Sequence, residues 1–210
     1  MSFASIDDAL DRIAGGEMVV VVDGPERENE GDVTMAAEFV TAQSVNFMIC
    51  EARGLVCAPA DAVLLDRLRI EPMVDPASAT CDTAFAVSVD HISNTTGIAA
   101  RERADTIRAL VDDASLPWDF RRPGHVFPLR ARSGGVLERA GHTEAAVDLC
   151  RLAGSAPVGA ICEVLCEDGN PARLPDLERF AIRHELAIVS VDELISYREE
   201  VDRARLRATL

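Results

Sequence analysis

Residues 27 to 32, Arg-Glu-Asn-Glu-Gly-Asp, place three carboxylates and one guanidinium within a single short segment. Carboxylates held this close together raise one another's pKa unless a cation joins them. Their hard oxygen atoms favour magnesium or manganese over zinc. The segment therefore indicates a site for a divalent cation, and the alternative is a solvated acidic turn, which is what most charge runs are.

A second candidate is the tripeptide Gly141-His142-Thr143, which precedes an apolar run with helical spacing. Backbone amides at a helix N-terminus bind phosphate, and a neighbouring histidine can ligate a metal. Arg139, just upstream, could bind two phosphate oxygens at once with its planar guanidinium group. Thr143 is the expected N-cap. A capped helix with a hydrogen-bonded histidine remains the alternative to a ligand site.

Two further residues could carry protons. Glu163 interrupts the apolar segment 158–165, where an unpaired carboxylate is costly, so it should meet a cation, a proton or a substrate. A salt bridge to a buried arginine is the competing interpretation. His125 follows Pro123-Gly124, a turn composition that could aim it into a cleft, although a lone histidine is more often structural.

The composition excludes several classes of function. The chain has 210 residues and a net charge of −15, which disfavours nucleic acid and anionic membranes as partners. All 21 basic residues are arginine, so Schiff-base aldolases, pyridoxal phosphate enzymes and P-loop nucleotidases, which need a lysine, are excluded. An anionic ligand must therefore meet a local cluster of arginines.

The cysteines and the N-terminus indicate a cytoplasmic protein. No two cysteines form a C-x-x-C pair, which argues against a zinc knuckle or a redox motif. No basic segment followed by an apolar run opens the chain, so a secretory signal is not expected. Free thiols fit a reducing compartment. The cysteines are Cys50, Cys57, Cys81, Cys150, Cys162 and Cys166.

Apparent strands and helices alternate along the chain without a linker, so we expect residues 1–210 to form a single α/β (α+β) domain, a layered mixed β-sheet covered by helices. Ser5 should cap a first helix that Gly15-Gly16 ends. Gly54 should end a helix that carries Val45 and Ala52. Expected strands cover residues 18–22, 33–36, 55–58, 83–89, 126–129, 158–165 and 188–191.

Taken together, these segments resemble the 3,4-dihydroxy-2-butanone 4-phosphate synthase family, from the first helix to about Tyr197. Several long motifs in the same order are far more specific than any one of them. The matching segments are 27–32 (RENEGD), 53–55 (RGL), 83–85 (TAF), 87–90 (VSVD), 95–98 (TTGI), 123–125 (PGH), 127–129 (FPL), 134–137 (GGVL) and 139–145 (RAGHTEA).

The resemblance implies conversion of D-ribulose 5-phosphate to L-3,4-dihydroxy-2-butanone 4-phosphate and formate, in a homodimer whose active sites draw on both subunits. It also implies Mg²⁺ or Mn²⁺, with two ions per site, on Glu28 and His142. The implied catalytic residues are Glu30, Asp32, Cys57, His125 and Glu163. The implied substrate-binding residues are Arg27, Glu28, Asp32, Thr96, Arg139, Ala140, Gly141, His142, Thr143 and Glu163. The chain departs from the family pattern at Cys50, where a basic residue is common, and at Ala99, where serine is frequent.

Three alternatives stay open. A different metal-dependent sugar-phosphate isomerase or aldolase would use the same residue types, and formate release discriminates between them. A catalytically inactive scaffold is disfavoured because Glu28, His125, His142 and Glu163 are all present. In the bifunctional form, the family is fused to GTP cyclohydrolase II, and without clustered zinc cysteines that second activity is not expected here.

Overall fold

A seven-stranded mixed sheet forms the centre of the protein, with the strand order β4-β5-β3-β6-β2-β1-β7. The computed structural model describes residues 3–75 and 82–208, so Cys81 lies outside the described residues. β1 pairs in parallel with β7, and β3 with β5, while the other neighbours are antiparallel. The strands are β1 (Val19–Val22), β2 (Gly31–Ala36), β3 (Cys57–Ala60), β4 (Val89–His91), β5 (Phe120–Arg130), β6 (Gly159–Glu163) and β7 (Ala187–Ser190).

Helices cover both faces of this sheet. They are α1 (Ile6–Ala14), α2 (Ala42–Phe47), α3 (Ala62–Arg67), α4 (Ala100–Val111), α5 (His142–Leu152), α6 (Leu174–His184) and α7 (Val191–Ala208). A π-helical turn, Met48–Ala52, continues α2. Within the described ranges, no helix has both the length and the apolar composition that crossing a membrane requires.

The sequence of β1 shows why the sheet is buried on both sides. Val19 and Val21 pack into one apolar cluster with α1, α5 and α7, whereas Val20 and Val22 pack into a second cluster with α2, α4 and α6. Successive side chains of a strand point to opposite faces, so a strand between two helical layers is apolar at every position. The expected α/β fold, a mixed sheet with helices on it, is confirmed.

Local signals located most elements, and two expectations about helix ends were wrong. Ser5 caps α1 as predicted, accepting a hydrogen bond from the backbone of Asp8. The N-cap of α5 is Gly141 instead of Thr143, which lies inside the helix. The π turn ends at Ala52, and the left-handed residue that caps it is Arg53, with φ of 73°, instead of Gly54.

The segment 83–89 is not the continuous strand that its alternation predicted. Its backbone alternates between two partners: the amide of Ala86 donates to Pro128, and the amide of Val87 donates to Glu71. A regular ladder with one neighbour therefore does not form, and the strand that follows is the short β4 at one edge of the sheet.

Candidate active site

A polar cavity of about 270 Å³ opens where β2, β3 and β6 meet the acidic loop and the start of α5. This volume is close to the lower end of the roughly 300–1,000 Å³ typical of small-molecule sites. The cavity brings together most of the residues that the sequence singled out. Its lining comprises Arg27, Glu28, Glu30, Asp32, Cys57, Thr83, Phe85, Leu129, His142, Thr143, Ile161 and Glu163.

The register of β2 against β6 places Asp32 directly opposite Glu163. Asp32 is only 3% exposed, so its charged form is poorly solvated. Burial raises the pKa of Asp32 to about 7, and the negative charge of Glu163 acts in the same direction against the attraction of His142. At neutral pH, Asp32 therefore exists in both protonation states, which suits a residue that takes up or releases a proton.

Glu163 is held in place by the loop that follows the π turn. The backbone N–H of Leu55 donates to Oε2 of Glu163 at 2.8 Å. Gly54 lies so close that a Cβ atom there would be 2.4 Å from the carbonyl oxygen of Glu163. Only glycine leaves room for this approach, so Gly54 and Leu55 together orient the carboxylate.

The acidic loop is anchored from both ends. The carboxylate of Asp23 accepts hydrogen bonds from the backbone amides of Glu28 at 3.2 Å and Glu30 at 2.8 Å. From the start of α6, Arg173 donates to the carbonyl oxygens of Glu28, at 2.7 Å, and of Asn29. The loop therefore presents its side chains to the cavity from a fixed backbone.

A guanidinium nitrogen of Arg27 lies beside Glu28 and His142, the two residues expected to hold a metal. Nη1 of Arg27 lies 2.6 Å from Oδ2 of Asp23, 2.8 Å from Oε2 of Glu28 and 3.4 Å from Nδ1 of His142. Asp23, Glu28 and His142 each offer one ligand atom, and these atoms lie within 4.8 Å of one another. The chain thus provides a position for positive charge with the oxygen-rich donor set that a hard cation prefers.

Two buried atoms beside this position have no hydrogen-bond partner: Nε2 of His142 and Oδ1 of Asp32. Buried polar atoms are normally satisfied, so an unsatisfied nitrogen and an unsatisfied oxygen in one cavity favour a ligand or an ion between them. Glu28, His142 and their neighbours therefore fit a divalent cation.

The charges of Glu28 and His142 are coupled. The interaction with His142 lowers the pKa of Glu28 to about 2. Burial opposes the charged form of His142, but Asp32 and Glu28 outweigh it and raise the pKa of His142 to about 9. Arg27 can donate to Nδ1 only when that nitrogen is unprotonated, whereas the ion pair with Glu28, at 3.6 Å, needs it protonated. The raised pKa favours the ion pair.

The comparisons with known proteins agree with this geometry. The family model described as 3,4-dihydroxy-2-butanone 4-phosphate synthase matches residues 7–197. The chain belongs to the 3,4-dihydroxy-2-butanone 4-phosphate synthase family. The resemblance noted in the sequence is thereby confirmed, and the chain is an enzyme of riboflavin biosynthesis.

The relatives of this synthase include a protein that the match covers almost completely and longer proteins. A 3,4-dihydroxy-2-butanone 4-phosphate synthase of Agrobacterium fabrum is 56% identical over 198 residues, which cover 94% of this chain and 93% of the relative. The riboflavin biosynthesis protein RibBA of Bacillus cytotoxicus is 50% identical, and the match covers 93% of this chain but only 49% of that protein. The chain thus spans about half the length of RibBA.

Solved synthase structures share the fold. One, in complex with two magnesium ions, has a TM-score of 0.90 and 41% identity, covering 95% of this chain and 99% of that chain. A two-domain synthase from A. baumannii has a TM-score of 0.90 and 45% identity, covering 93% of this chain and 58% of that chain.

Five residues that the synthase resemblance assigns to the site do not line the cavity. Arg139 contacts it indirectly, because it donates to the hydroxyl of Thr83 at 3.1 Å and to Glu144 at 2.6 Å. Ala140 and Gly141 lead from Arg139 into α5. Thr96 is exposed in the loop after β4, and His125 belongs to β5, where it contacts Asp90. Within one chain, the fold therefore leaves His125 and Thr96 outside the cavity.

Cys57 lines the cavity at the start of β3, opposite Ile161. Burial raises the pKa of its thiol far above the ordinary value, so the thiol stays protonated at neutral pH. A protonated thiol is a poor nucleophile. Cys57 thus contributes an uncharged side chain to the lining of the cavity, beside Asp32 and Glu163.

Sequence reasoning missed Asp23, Thr83 and Phe85. Asp23 opens an Asp-Gly-Pro turn, a composition that by itself indicates only a turn, yet its carboxylate organises the acidic loop. Its position directly after a buried strand was the available signal. Thr83 and Phe85 carried the family resemblance, but no local pattern indicated that they line a cavity.

Proposed function

We propose that this synthase converts D-ribulose 5-phosphate to L-3,4-dihydroxy-2-butanone 4-phosphate and formate with the help of a divalent metal. The observation that carries the proposal is the convergence of Glu28, Glu30, Asp32, His142 and Glu163 on one small cavity that also holds the Arg27 guanidinium. The reaction needs a cation, groups that exchange protons and positive charge for a phosphate, and the cavity offers each of these.

Glu28 and His142 would hold the metal, which we propose to be Mg²⁺ or Mn²⁺ with two ions per site, and Asp23 lies close enough to contribute a third ligand. Support comes from the clustered ligand atoms of Asp23, Glu28 and His142 and from the related synthase that was solved with two magnesium ions. When bound, the metal would act as a Lewis acid that polarises substrate oxygens.

Asp32 and the carboxylates around it would transfer protons to and from the substrate. A ketose must lose a proton beside its carbonyl group, eliminate water and rearrange its carbon skeleton, and one carbon then leaves as formate when a water molecule is added back. Asp32 is the best candidate for the first proton because its pKa of about 7 lies near neutral pH. Glu163 lies opposite Asp32, and burial raises the pKa of Glu30. These two carboxylates are the candidates for the later proton transfers.

The substrate phosphate would be held by Arg27 and by the backbone amides at the start of α5, around Thr143. Arg139, fixed by Glu144 and bonded to the Thr83 hydroxyl, would add positive charge behind this end of the cavity. Such a local cluster is what an anionic ligand requires in a chain with a net charge of −15.

A homodimer would bring His125 and Thr96 of a second copy to the cavity. Both residues lie at the β4 edge of the sheet, and this edge carries exposed apolar side chains. Trp118 is 69% exposed, and Ile92 and Ile98 are each more than half exposed. Exposed apolar groups of this size favour a protein interface.

We further propose that the synthase works in the reducing cytoplasm. Within the described residues, Cys50, Cys57, Cys150, Cys162 and Cys166 are free thiols. Unpaired cysteines of this number are typical of proteins that fold in a reducing compartment.

The decisive test is to incubate the purified protein with ribulose 5-phosphate and magnesium, and to measure formate and the four-carbon phosphate with and without a chelator. We expect both products only with metal, and almost none from Glu28→Ala or Glu163→Ala. Glu199→Ala, an exposed carboxylate of α7, is the matched control and should behave as wild type. Turnover without formate would favour the isomerase or aldolase alternative, and full activity in chelator would contradict the role of the metal.

A further inference from the structure

Asp90 is tied to His125 by two hydrogen bonds. Oδ1 of Asp90 accepts from the backbone amide of His125 at 2.9 Å, and Oδ2 lies 2.7 Å from Nδ1 of the imidazole. Asp90 is almost fully buried, whereas the His125 side chain is 41% exposed. One edge of the imidazole therefore meets a buried carboxylate, and much of the ring remains reachable from outside.

A break in the pairing of β4 with β5 creates this arrangement. Val89 pairs with Val126, but the next residue, Asp90, pairs with Arg121, so residues 122–125 bulge out of the ladder. In a regular ladder, the amide of His125 would bond to backbone. Here it bonds to the Asp90 side chain, and bulges of this kind are known to re-aim side chains next to active sites.

The backbone packs closely around the Asp90 carboxylate. A Cβ atom on Gly97 would lie 2.0 Å from Oδ2 of Asp90, and one on Gly124 would lie 2.0 Å from the carbonyl carbon of Val89. The Gly97 loop is itself held by Glu102, which accepts from the backbone amides of Thr95, at 2.5 Å, and Gly97, at 2.9 Å. Asp90 is thus packed between two backbone segments.

We propose that Asp90 is a positioning residue that keeps the proton of the neutral His125 imidazole on Nδ1 and leaves the lone pair on Nε2. A carboxylate only accepts hydrogen bonds, so the nitrogen that faces it must carry a proton. Nε2 is then the atom that takes or gives a proton, and the ring keeps one orientation throughout. This inference rests on the proposed function, in which His125 acts on the substrate bound to a second copy.

The first experiment uses the unmodified protein. The chain has four histidines, so the ring ¹⁵N signals are few, and a His125→Gln variant assigns those of His125. At alkaline pH we expect a protonated Nδ1 and an unprotonated Nε2. The opposite tautomer, or rapid exchange between the two, would overturn the inference without the need for any Asp90 variant.

The second experiment compares Asp90→Asn with Asp119→Asn, an aspartate of the same edge that accepts one hydrogen bond from the Leu116 amide and does not contact His125. We expect kcat of Asp90→Asn to fall by about 10² to 10⁴-fold, the usual contribution of a general acid or base, with KM changed by less than about threefold. The ¹⁵N signals of His125 should shift, because the ring loses its preference for the tautomer with the proton on Nδ1. Asp119→Asn should change neither property.

Failure of the inference and failure of the proposed function can be told apart. If His125→Gln turns over like wild type, then the role of His125 in the reaction is wrong, and the inference falls with it. If His125→Gln is inactive while Asp90→Asn keeps wild-type kcat and an unchanged His125 tautomer, then only the inference is overturned. If Asp90→Asn does not fold, the tautomer in the unmodified protein decides.

Discussion

Replacing Gly54 by alanine should displace Glu163 from its place in the cavity. The added Cβ would lie 2.4 Å from the carbonyl oxygen of Glu163, 2.6 Å from its Oε2 and 2.7 Å from its amide nitrogen. Ordinary van der Waals contact begins near 3.4 Å, so the two segments must separate by about 1 Å (3.4 − 2.4). Two of these three neighbours are backbone atoms of β6, so no rotation of a side chain can relieve the clash.

A displacement of this size is large for catalysis and moderate for stability. A misplacement of 1 Å can reduce a rate about 100-fold, so we expect kcat of Gly54→Ala to fall by about 10². Overpacking of a well-packed region costs about 1–3 kcal/mol, which a domain of this size can tolerate. The variant should therefore fold and bind metal but turn over slowly.

The assay measures kcat and KM from formate release, together with thermal unfolding. Gly15→Ala is the matched control, because its Cβ would meet only the carbonyl oxygens of Asp11 and Arg12, at 3.3 and 3.4 Å, at the end of α1. That control should keep wild-type turnover. If Gly54→Ala also kept wild-type turnover while folding normally, Glu163 would not need the position in which the structure holds it.

Three further predictions address the metal, the charges and the assembly. Glu28→Gln should weaken magnesium binding at least about tenfold by calorimetry, since it removes an anionic ligand, and unchanged affinity would exclude Glu28 from the metal site. In chelator, the free energy of unfolding should fall as pH rises from 6.5 to about 9, because the folded pKa of His142 is raised to about 9 and its stabilisation is complete only below 6.5. At roughly 1.4 kcal/mol per pH unit, the free energy of unfolding should fall by up to about 3 kcal/mol. The His142→Gln variant should lose most of this pH dependence when its stability is measured by denaturant titration. Trp118→Asp should shift the protein from dimer to monomer in analytical ultracentrifugation and lower turnover, whereas a variant that remains dimeric would place the interface elsewhere.

The sequence by itself determined which residues could do chemistry and much of the local structure. The acidic segment 27–32, His142 and Glu163 were identified from residue type and spacing, and they do share one cavity. The Ser5 cap and the apolar run of β1 are also local signals, because each depends on neighbours within a few residues. The absence of lysine needs no structure at all.

Only the tertiary structure decided how these groups face one another. Asp32 and Glu163 are far apart in the chain, and the β2–β6 register makes them neighbours. Burial in the folded protein raises the pKa of Asp32, and the charge of Glu163 adds to this effect. Register depends on how both faces of the sheet pack, which no local pattern encodes. For the same reason the sequence could not show that a bulge joins Asp90 to His125. Residue types set the chemistry that is available, and long-range pairing sets which atoms meet.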